Sequence, residues 1–562
     1  MDEYNIEQLL KKINVLETEL KSSKKYGLVW DKENTKEDVV IKCEKNIPIL
    51  EQDKSKKIIC GEDNNILIEG DNYHALTSLN FIVKESIDVI YIDPPYNTGH
   101  EDFEYNDKFV NEDDGYKHSK WLSFMSKRLK LAKDLLNQNG CIFISIDDRE
   151  QANLKILCDS IFGTGNFICN MIWTNNEGGG GSDSKYFKTK HEYILCYAKN
   201  SSNFKTKNVP IEDQDRYKLS DEYEKIRGKY QLVKLSSASI QYSQSLDYPI
   251  QMPDGSFITP VENSDKDRSC WRWSKQKLQW GLDNDFIVYK KDKKGVWQIY
   301  TKQYVNCDKD GNIVPRTKVP PALINKFSST QASNALIDLL KSKKFSYPKP
   351  VDLIKWLIDR CVNERGIVLD FFAGSGTTGQ AVLELNKEDG GHRRFILCTN
   401  NENNICTDVT YPRLKTVITG IRPDGTKYSD GLPANLYYFK TDFIEDQANT
   451  EQARYNLVEK VDSLLCIAED VMEEVERNDY SSHFINGDKH LFIYNDYYNE
   501  TKFDEFKQRV LSAIGQKIVY VYASDNNIDE TLIEGNDIEL KPIPSKIYEI
   551  YKEIVEDIKR GE

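Results

Sequence analysis

The run from Ser86 to Ile92 (Ser-Ile-Asp-Val-Ile-Tyr-Ile) leads directly into Asp93-Pro94-Pro95-Tyr96. That junction constrains the fold more than any other part of the chain. A strand buried on both faces of a parallel sheet reads as a continuous β-branched and aromatic run. Ligand sites in open α/β sheets lie just beyond the carboxyl ends of such strands. Two consecutive prolines fix φ and carry no N–H groups, so the backbone there is stiff and its carbonyls are free acceptors. The tetrapeptide therefore sets a carboxylate, rigid carbonyls and an aromatic ring at one sheet edge. That set can grip a planar group bearing an exocyclic amine.

A second strand-turn-helix signal narrows the fold further. Gly366 to Asp370 is a short apolar strand ending in Asp370, and Phe371-Phe372-Ala373-Gly374-Ser375-Gly376-Thr377-Thr378 follows it. Glycines at such a turn let the backbone approach a ligand closely. The expected helix, roughly Thr378 to Asn386, carries an Ala/Val/Leu face suited to packing on a sheet. A Gly-x-Gly alone reads more often as an ordinary βα turn. Its place between an acid-ended strand and a helix, in one chain with Asp-Pro-Pro-Tyr, makes it specific.

Together the two motifs resemble those of the S-adenosylmethionine-dependent amino-methyltransferases of DNA. In that family a Phe-x-Gly-x-Gly turn holds the cofactor and an (Asp/Asn/Ser)-Pro-Pro-(Tyr/Phe/Trp) motif holds the target amine. The catalytic motif precedes the cofactor turn here, the permutation of the β group, which implies target recognition between the two halves. Asp in the first position implies adenine N6 as the target. Ile68 to Asn72, Asp93 to Gly99, Lys120 to Met125, His191 to Leu195, Pro348 to Pro350, Phe395 to Glu402 and Tyr438 to Phe443 also match in order. Over nearly the whole chain this resembles the modification subunits of type III restriction-modification systems.

The resemblance implies Asp93, Pro94, Pro95 and Tyr96 as catalytic, and Phe372, Ala373, Gly374, Ser375, Gly376 and Thr377, with Asp370 before them, as the cofactor turn. It places Lys349, in Pro348-Lys349-Pro350, at the methionine carboxylate of S-adenosylmethionine. Asp71 ends an expected strand, where it could bond the cofactor or simply cap the helix starting near His74. Nucleotide-type sites often carry an acid about 20 residues past the glycines; Asn400 and Glu402 both compete for that place. Double-stranded DNA, a second copy of the chain and a separate restriction subunit are the implied partners. Cytosine N4 methylation, an orphan methylase and an inactive DNA-binding specificity subunit are the alternatives. No nuclease or helicase motif is read, so cleavage by this chain alone is not expected.

With 562 residues, the chain calls for several folding units. Its N-terminus reads as no signal peptide, and no apolar run approaches the ~20 residues of a membrane span. Twelve cysteines without a Cys-x-x-Cys pair fit a reducing cytoplasm and core packing, and no metal site is expected. A net charge of −14 looks wrong for a DNA binder. By segment the conflict softens: residues 201–330 hold 22 Lys+Arg against 16 Asp+Glu (+6), and residues 451–562 hold 13 against 25 (−12).

The expected architecture is a Rossmann-like, doubly wound α/β sheet in two halves, residues 46–200 and 331–443. Strands are expected at 65–69, 87–92, 140–146 and 192–198, with a helix near 119–138. Residues 1–45 read as an amphipathic helix and arm, and 30–60 as a charged connecting arm. Trp121, Phe124 and Met125 read as core. His191 and Glu192 read as structural hydrogen-bonding groups. The glycine run 178–181 reads either as a loop that orders over substrate or as a passive linker. Residues 201–330 read as an inserted, mostly β, target-recognition domain. There Arg272, Lys275 and Lys277 lie among Trp271, Trp273, Trp280 and Trp297, either as a stacking and phosphate surface or as a small core with surface lysines. Residues 444–562 read as an α+β assembly domain that opens with an amphipathic pattern from Glu451 to Val475 and closes with a charged C-terminal helix.

Overall fold

The structure is a computed structural model. It describes residues 30, 37–99, 103, 105–106, 108–175, 187–211, 214–261, 269–445, 460–496, 500–522, 530–535, 537–543, 551 and 556. The expected N-terminal helix, the glycine run and most of the expected C-terminal helix lie outside those residues. The chain divides into two compact units, residues 207–320 and the remainder.

The larger unit is built on a ten-stranded sheet. In chain order its strands are β1 (Asn46–Gln52), β2 (Asn64–Glu69), β3 (Ile87–Ile92), β4 (Leu136–Ile146), β5 (Phe167–Trp173), β6 (Glu192–Ala198), β7 (Leu323–Ile324), β8 (Ile367–Asp370), β9 (Arg394–Thr399) and β10 (Asn435–Glu445). In space they run β1-β10-β2-β9-β8-β3-β4-β6-β5-β7. The six from β10 to β4 are parallel, and β6 turns antiparallel on β4. Val89, Ile90, Ile92, Val368 and Leu369 are fully buried, as expected of strands covered on both faces. Helices α1 (Asn72–Asn80), α2 (Lys117–Leu135), α3 (Gln151–Phe162), α4 (Val351–Cys361), α5 (Thr377–Asp389) and α6 (Tyr411–Thr419) accompany it. Two apolar clusters form: Ile68, Leu76, Ile90, Trp121 and Met125 belong to one, and Val89, Leu353, Leu357, Val382 and Leu414 to the other. The doubly wound α/β reading is correct.

Two local expectations fail. Residues 30–60 are not simply an arm: Asn46–Gln52 is an edge strand of the main sheet, antiparallel to β10 with Asn46 opposite Glu445. Ile47, Ile49 and Leu50 are buried there, and Pro48 is tolerated because the strand is at the edge. The pattern expected from Glu451 to Val475 is not one helix. A helix runs Asp462–Glu469, Asp470 takes a left-handed conformation (φ 57°) and ends it, and Glu473–Asn478 is already a strand. That strand opens a five-stranded sheet crossed by the helix Glu500–Ser512. Arg394–Asp470 and Lys54–Glu474 ion pairs, and a core shared by Ile47 and Leu465, join this part to the main sheet.

The smaller unit holds a three-stranded antiparallel sheet (Tyr230–Lys234, Ile287–Lys291, Trp297–Tyr304) and the helix Lys275–Asp283. Trp271 is wholly buried in its core and donates to the Tyr248 carbonyl at 2.6 Å, so for this residue the core reading holds. Lys277 Nζ lies 3.5 Å over the Trp280 ring and reaches Asp310 at 3.0 Å. Arg272 donates to the Ser237 hydroxyl at 3.1 Å, and Lys275 lies 5.4 Å over the Tyr248 ring.

Candidate active site

Strands β3 and β8 are neighbours, with Val89 opposite Val368 and Ile90 opposite Leu369. Two motifs far apart in sequence therefore emerge side by side at the carboxyl ends of adjacent parallel strands, where such sheets bind ligands.

Beyond β3, the Tyr96 hydroxyl lies 2.9 Å from Asp93 Oδ1 and 3.0 Å from Glu192 Oε2, within donating distance of either. Lys349 Nζ donates to the Tyr96 oxygen at 2.8 Å and to Glu192 Oε2 at 3.0 Å, and pairs with Asp93 Oδ1 at 3.1 Å. Asn175 adds a bond to Glu192 Oε1 at 3.2 Å. Burial raises the Asp93 carboxyl above the ordinary range, and Lys349 works against that rise. For Lys349, burial opposes the charge, but the two carboxylates more than offset it and its value is raised. Burial, then Asp93 and Glu192, hold the Tyr96 phenol well above its usual value. Trp121 Nε1 donates to the Pro95 carbonyl at 2.7 Å, whereas no described donor reaches the Pro94 carbonyl.

Beyond β8, Asp370 accepts from Phe372 N at 3.0 Å and from Thr378 Oγ1 at 2.6 Å. Burial pushes its carboxyl up to about 7. Gly376 has φ 79°, a left-handed conformation that disfavours any side chain, and its N–H closes the turn onto the Ala373 carbonyl. Ala373 N donates in turn to the Cys398 carbonyl of β9. Arg413, on α6, is buried behind the turn and donates to Gln380 Oε1 (2.8 Å), Ser375 Oγ (2.9 Å) and Thr377 Oγ1 (2.9 Å). Among the described residues no carboxylate pairs with it, and burial lowers its value to about 10.

A cavity of about 350 Å³ opens beside the turn, lined by Asp71, Asn72, Phe124, Phe372, Asn400 and Glu402, among others. Asp71 caps α1 by accepting from Tyr73 N at 2.7 Å and also lines the cavity, so its two readings coexist. Asn400 and Glu402 are both exposed on the cavity wall, and Asn400 Nδ2 donates to Glu402 Oε2 at 3.3 Å. Asn72 ties α1 to the turn through the Phe371 carbonyl (3.0 Å). Arg128, fully buried, forks onto Glu37 (2.6 and 3.1 Å) and stacks on Phe124 (3.7 Å). The cavity thus offers carboxylates and amides at the ends of β2 and β9, aromatic walls and a glycine turn. That set fits a nucleoside-bearing cation such as S-adenosylmethionine.

The structure brings the strands that carry the Asp93–Tyr96 motif and the turn after Asp370 side by side. Sequence reasoning set Lys349 toward the cofactor, whereas the structure places its ammonium among Asp93, Tyr96 and Glu192. Arg128 and Arg413 were passed over, and Glu192 was read as structural only. Glu37 lies 91 positions from Arg128, Lys349 157 from Glu192 and Gln380 33 from Arg413, so no local pattern could reveal these pairings.

A Rossmann-like sheet that presents a glycine turn and an amine-gripping motif at adjacent strand ends defines a methyltransferase. The profile of the DNA methylase family (N6_N4_Mtase) matches residues 87–410, and the chain belongs to that family. The StyLTI Mod subunit of a type III restriction-modification enzyme from Salmonella typhimurium is 31% identical over 71% of this chain and 64% of its own length. The EcoPI Mod subunit of Escherichia phage P1 is 31% identical over 91% of this chain and 87% of its own. The type II methyltransferase M.KpnI of Klebsiella pneumoniae is 32% identical over 67% and 90%. Among the described residues, no helix is long and apolar enough to cross a membrane.

Proposed function

We propose that the chain methylates N6 of adenine in double-stranded DNA, as the modification and specificity subunit of a type III restriction-modification system. The observation that carries this reading is the Asp93 carboxylate at the end of β3, beside the glycine turn that follows the neighbouring strand β8. The likeness to two type III Mod subunits along most of the chain supports the system to which it is assigned.

An amine stacked inside a duplex is out of reach, so the target base is rotated out at a cost of a few kcal/mol. Tyr96 stacks on the ring. Asp93 and the Pro94 carbonyl accept from the amino group and orient its nitrogen. That nitrogen is a poor nucleophile because its lone pair is delocalised into the ring. Bonds to Asp93 favour a tetrahedral nitrogen and strengthen as positive charge develops on it. S-adenosylmethionine, when bound, supplies a methyl group activated by its sulfonium. Asp71, Asn400 and Glu402 with the Phe372–Thr377 turn are the residues assigned to hold it. Positioning supplies much of the acceleration.

Residues 201–330 are assigned to target recognition and 444–562 to assembly, with a second copy of the chain and a restriction subunit as partners. Single-molecule sequencing of DNA from cells expressing the chain, beside cells expressing Asp93→Ala, tests the reading. N6-methyladenine on one strand of a short asymmetric site, absent with the variant, is expected. Methylcytosine instead would favour the N4 alternative. Equal modification by Asp93→Ala would refute the role of Asp93.

A further inference from the structure

Two carboxylates, Asp93 and Glu192, converge on one hydroxyl and one ammonium at the end of β3. Lys349 is held there by its neighbours: Pro348 and Pro350 stiffen the backbone on both sides, and α4 begins at Val351. Its side chain is only 11% exposed, and its Nζ contacts Asp93 Oδ1, Glu192 Oε2 and the Tyr96 oxygen, all within 3.1 Å. It also lies 5.0 Å over the Tyr96 ring. The amine-holding group is therefore not a lone carboxylate but one member of an ionic cluster.

We propose that Lys349 is the counter-cation that keeps Asp93 ionised, and that Glu192 is the second carboxylate that anchors both Lys349 and Tyr96. The proposal rests on the amine-methylation reading above. Two carboxylates sharing a small enclosed site cannot both ionise without a compensating charge. With the ammonium present the cluster carries one net negative charge, and Asp93 can accept fully from the amino group. Without it, a proton settles on the pair and Asp93 loses acceptor strength. The other groups facing Asp93 reinforce this: Tyr91 on β3 and Asp370 on β8 add no positive charge, and the Tyr96 phenol stays neutral. Lys349 and Glu192 act through Asp93 and Tyr96 and are positioning residues.

The sign follows directly. Removing a cation raises the Asp93 carboxyl further, so transfer by Lys349→Met needs higher pH. An opposite charge at this range is worth about 1–3 pH units, so the acidic limb of kcat moves up by that much, with about tenfold or greater loss near neutrality recovered on the alkaline side. Lys349→Arg retains the charge and the wild-type limb. Removing the rival carboxylate as well, in Lys349→Met/Glu192→Gln, brings the limb back down. A purely structural pair would not give this restoration.

The experiment is the pH profile of kcat for methyl transfer to substrate duplex by the full chain and these three variants. Calorimetry of S-adenosylmethionine binding accompanies it. The shifted limb, its reversal in the double variant and an unchanged cofactor affinity are expected. Parallel profiles overturn the proposal, as does a Lys349→Met chain whose only defect is weakened cofactor binding, which would return Lys349 to the cofactor's carboxylate. Wild-type chain that transfers no methyl group to an amine would strike the parent reading instead, before any variant is compared.

Discussion

Asp370 gives a prediction whose size can be worked from its surroundings. Its side chain is 2% exposed, and among the described residues no cation pairs with it; its partners are the Phe372 N–H and the Thr378 hydroxyl. Burial lifts the carboxyl to about 7 in the folded chain, against ~3.9 for a free aspartate. The folded state therefore binds a proton that the unfolded chain releases near pH 4. Stability from this group is full below pH 4, is lost as pH rises through the window to about 7, and is flat above. At about 1.4 kcal/mol per pH unit, the whole window is worth roughly 4 kcal/mol as a ceiling, and the span from pH 5 upward roughly 3 kcal/mol. Asp370→Asn removes the titration while keeping an oxygen for Phe372 N and an amide for Thr378 Oγ1. Urea unfolding of wild type and variant at pH 5 and pH 8 isolates the term, because titrating groups that do not interact with Asp370 cancel in the difference. The variant should gain on wild type by a few kcal/mol between the two pH values. A difference independent of pH would refute the burial argument.

Arg128→Met should cost about 3–5 kcal/mol, because it strands the buried Glu37 carboxylate; adding Glu37→Gln should recover much of that loss, and a neutral single variant in urea unfolding would count against the ion pair. Gly376→Ala should cost about 1–2 kcal/mol for the left-handed backbone, and its Cβ would press on Thr410 Cγ2 at 3.2 Å. Weaker S-adenosylmethionine binding by calorimetry should accompany it, and unchanged stability would refute the strain.

The buried parallel strands were readable because their signal is local: a continuous apolar run with turn chemistry at its end. The two motifs were readable for the same reason. What escaped was long-range or masked. Strand β1 hides in a charged neighbourhood and carries a proline, and only its pairing with β10, nearly 400 positions on, makes Ile47 and Leu50 core residues. The helix expected across Glu451 to Val475 kept its apolar spacing beyond Asp470, but spacing does not report a left-handed residue. Lys349 was read from its own tripeptide, while its ammonium also bonds Glu192, which reaches it from β6.

The permuted motif order has little physical consequence, because a ligand meets strand ends and not chain order. What must be fixed is the register of β8 against β3, and Asp88 does this. It is the one charged residue within β3, a position where charge is normally costly. Its Oδ2 accepts from Ile367 N at 2.8 Å, at the start of β8, and its Oδ1 from Asn137 Nδ2 at 3.0 Å, near the start of β4. One carboxylate thus ties the entrances of the two strands flanking β3. With those entrances fixed, Val89 opposes Val368 and Ile90 opposes Leu369. Strand β3 then delivers Asp93 beside the turn that follows Asp370. A carboxylate at the amino end of the strand sets the alignment that the carboxylate at its other end uses.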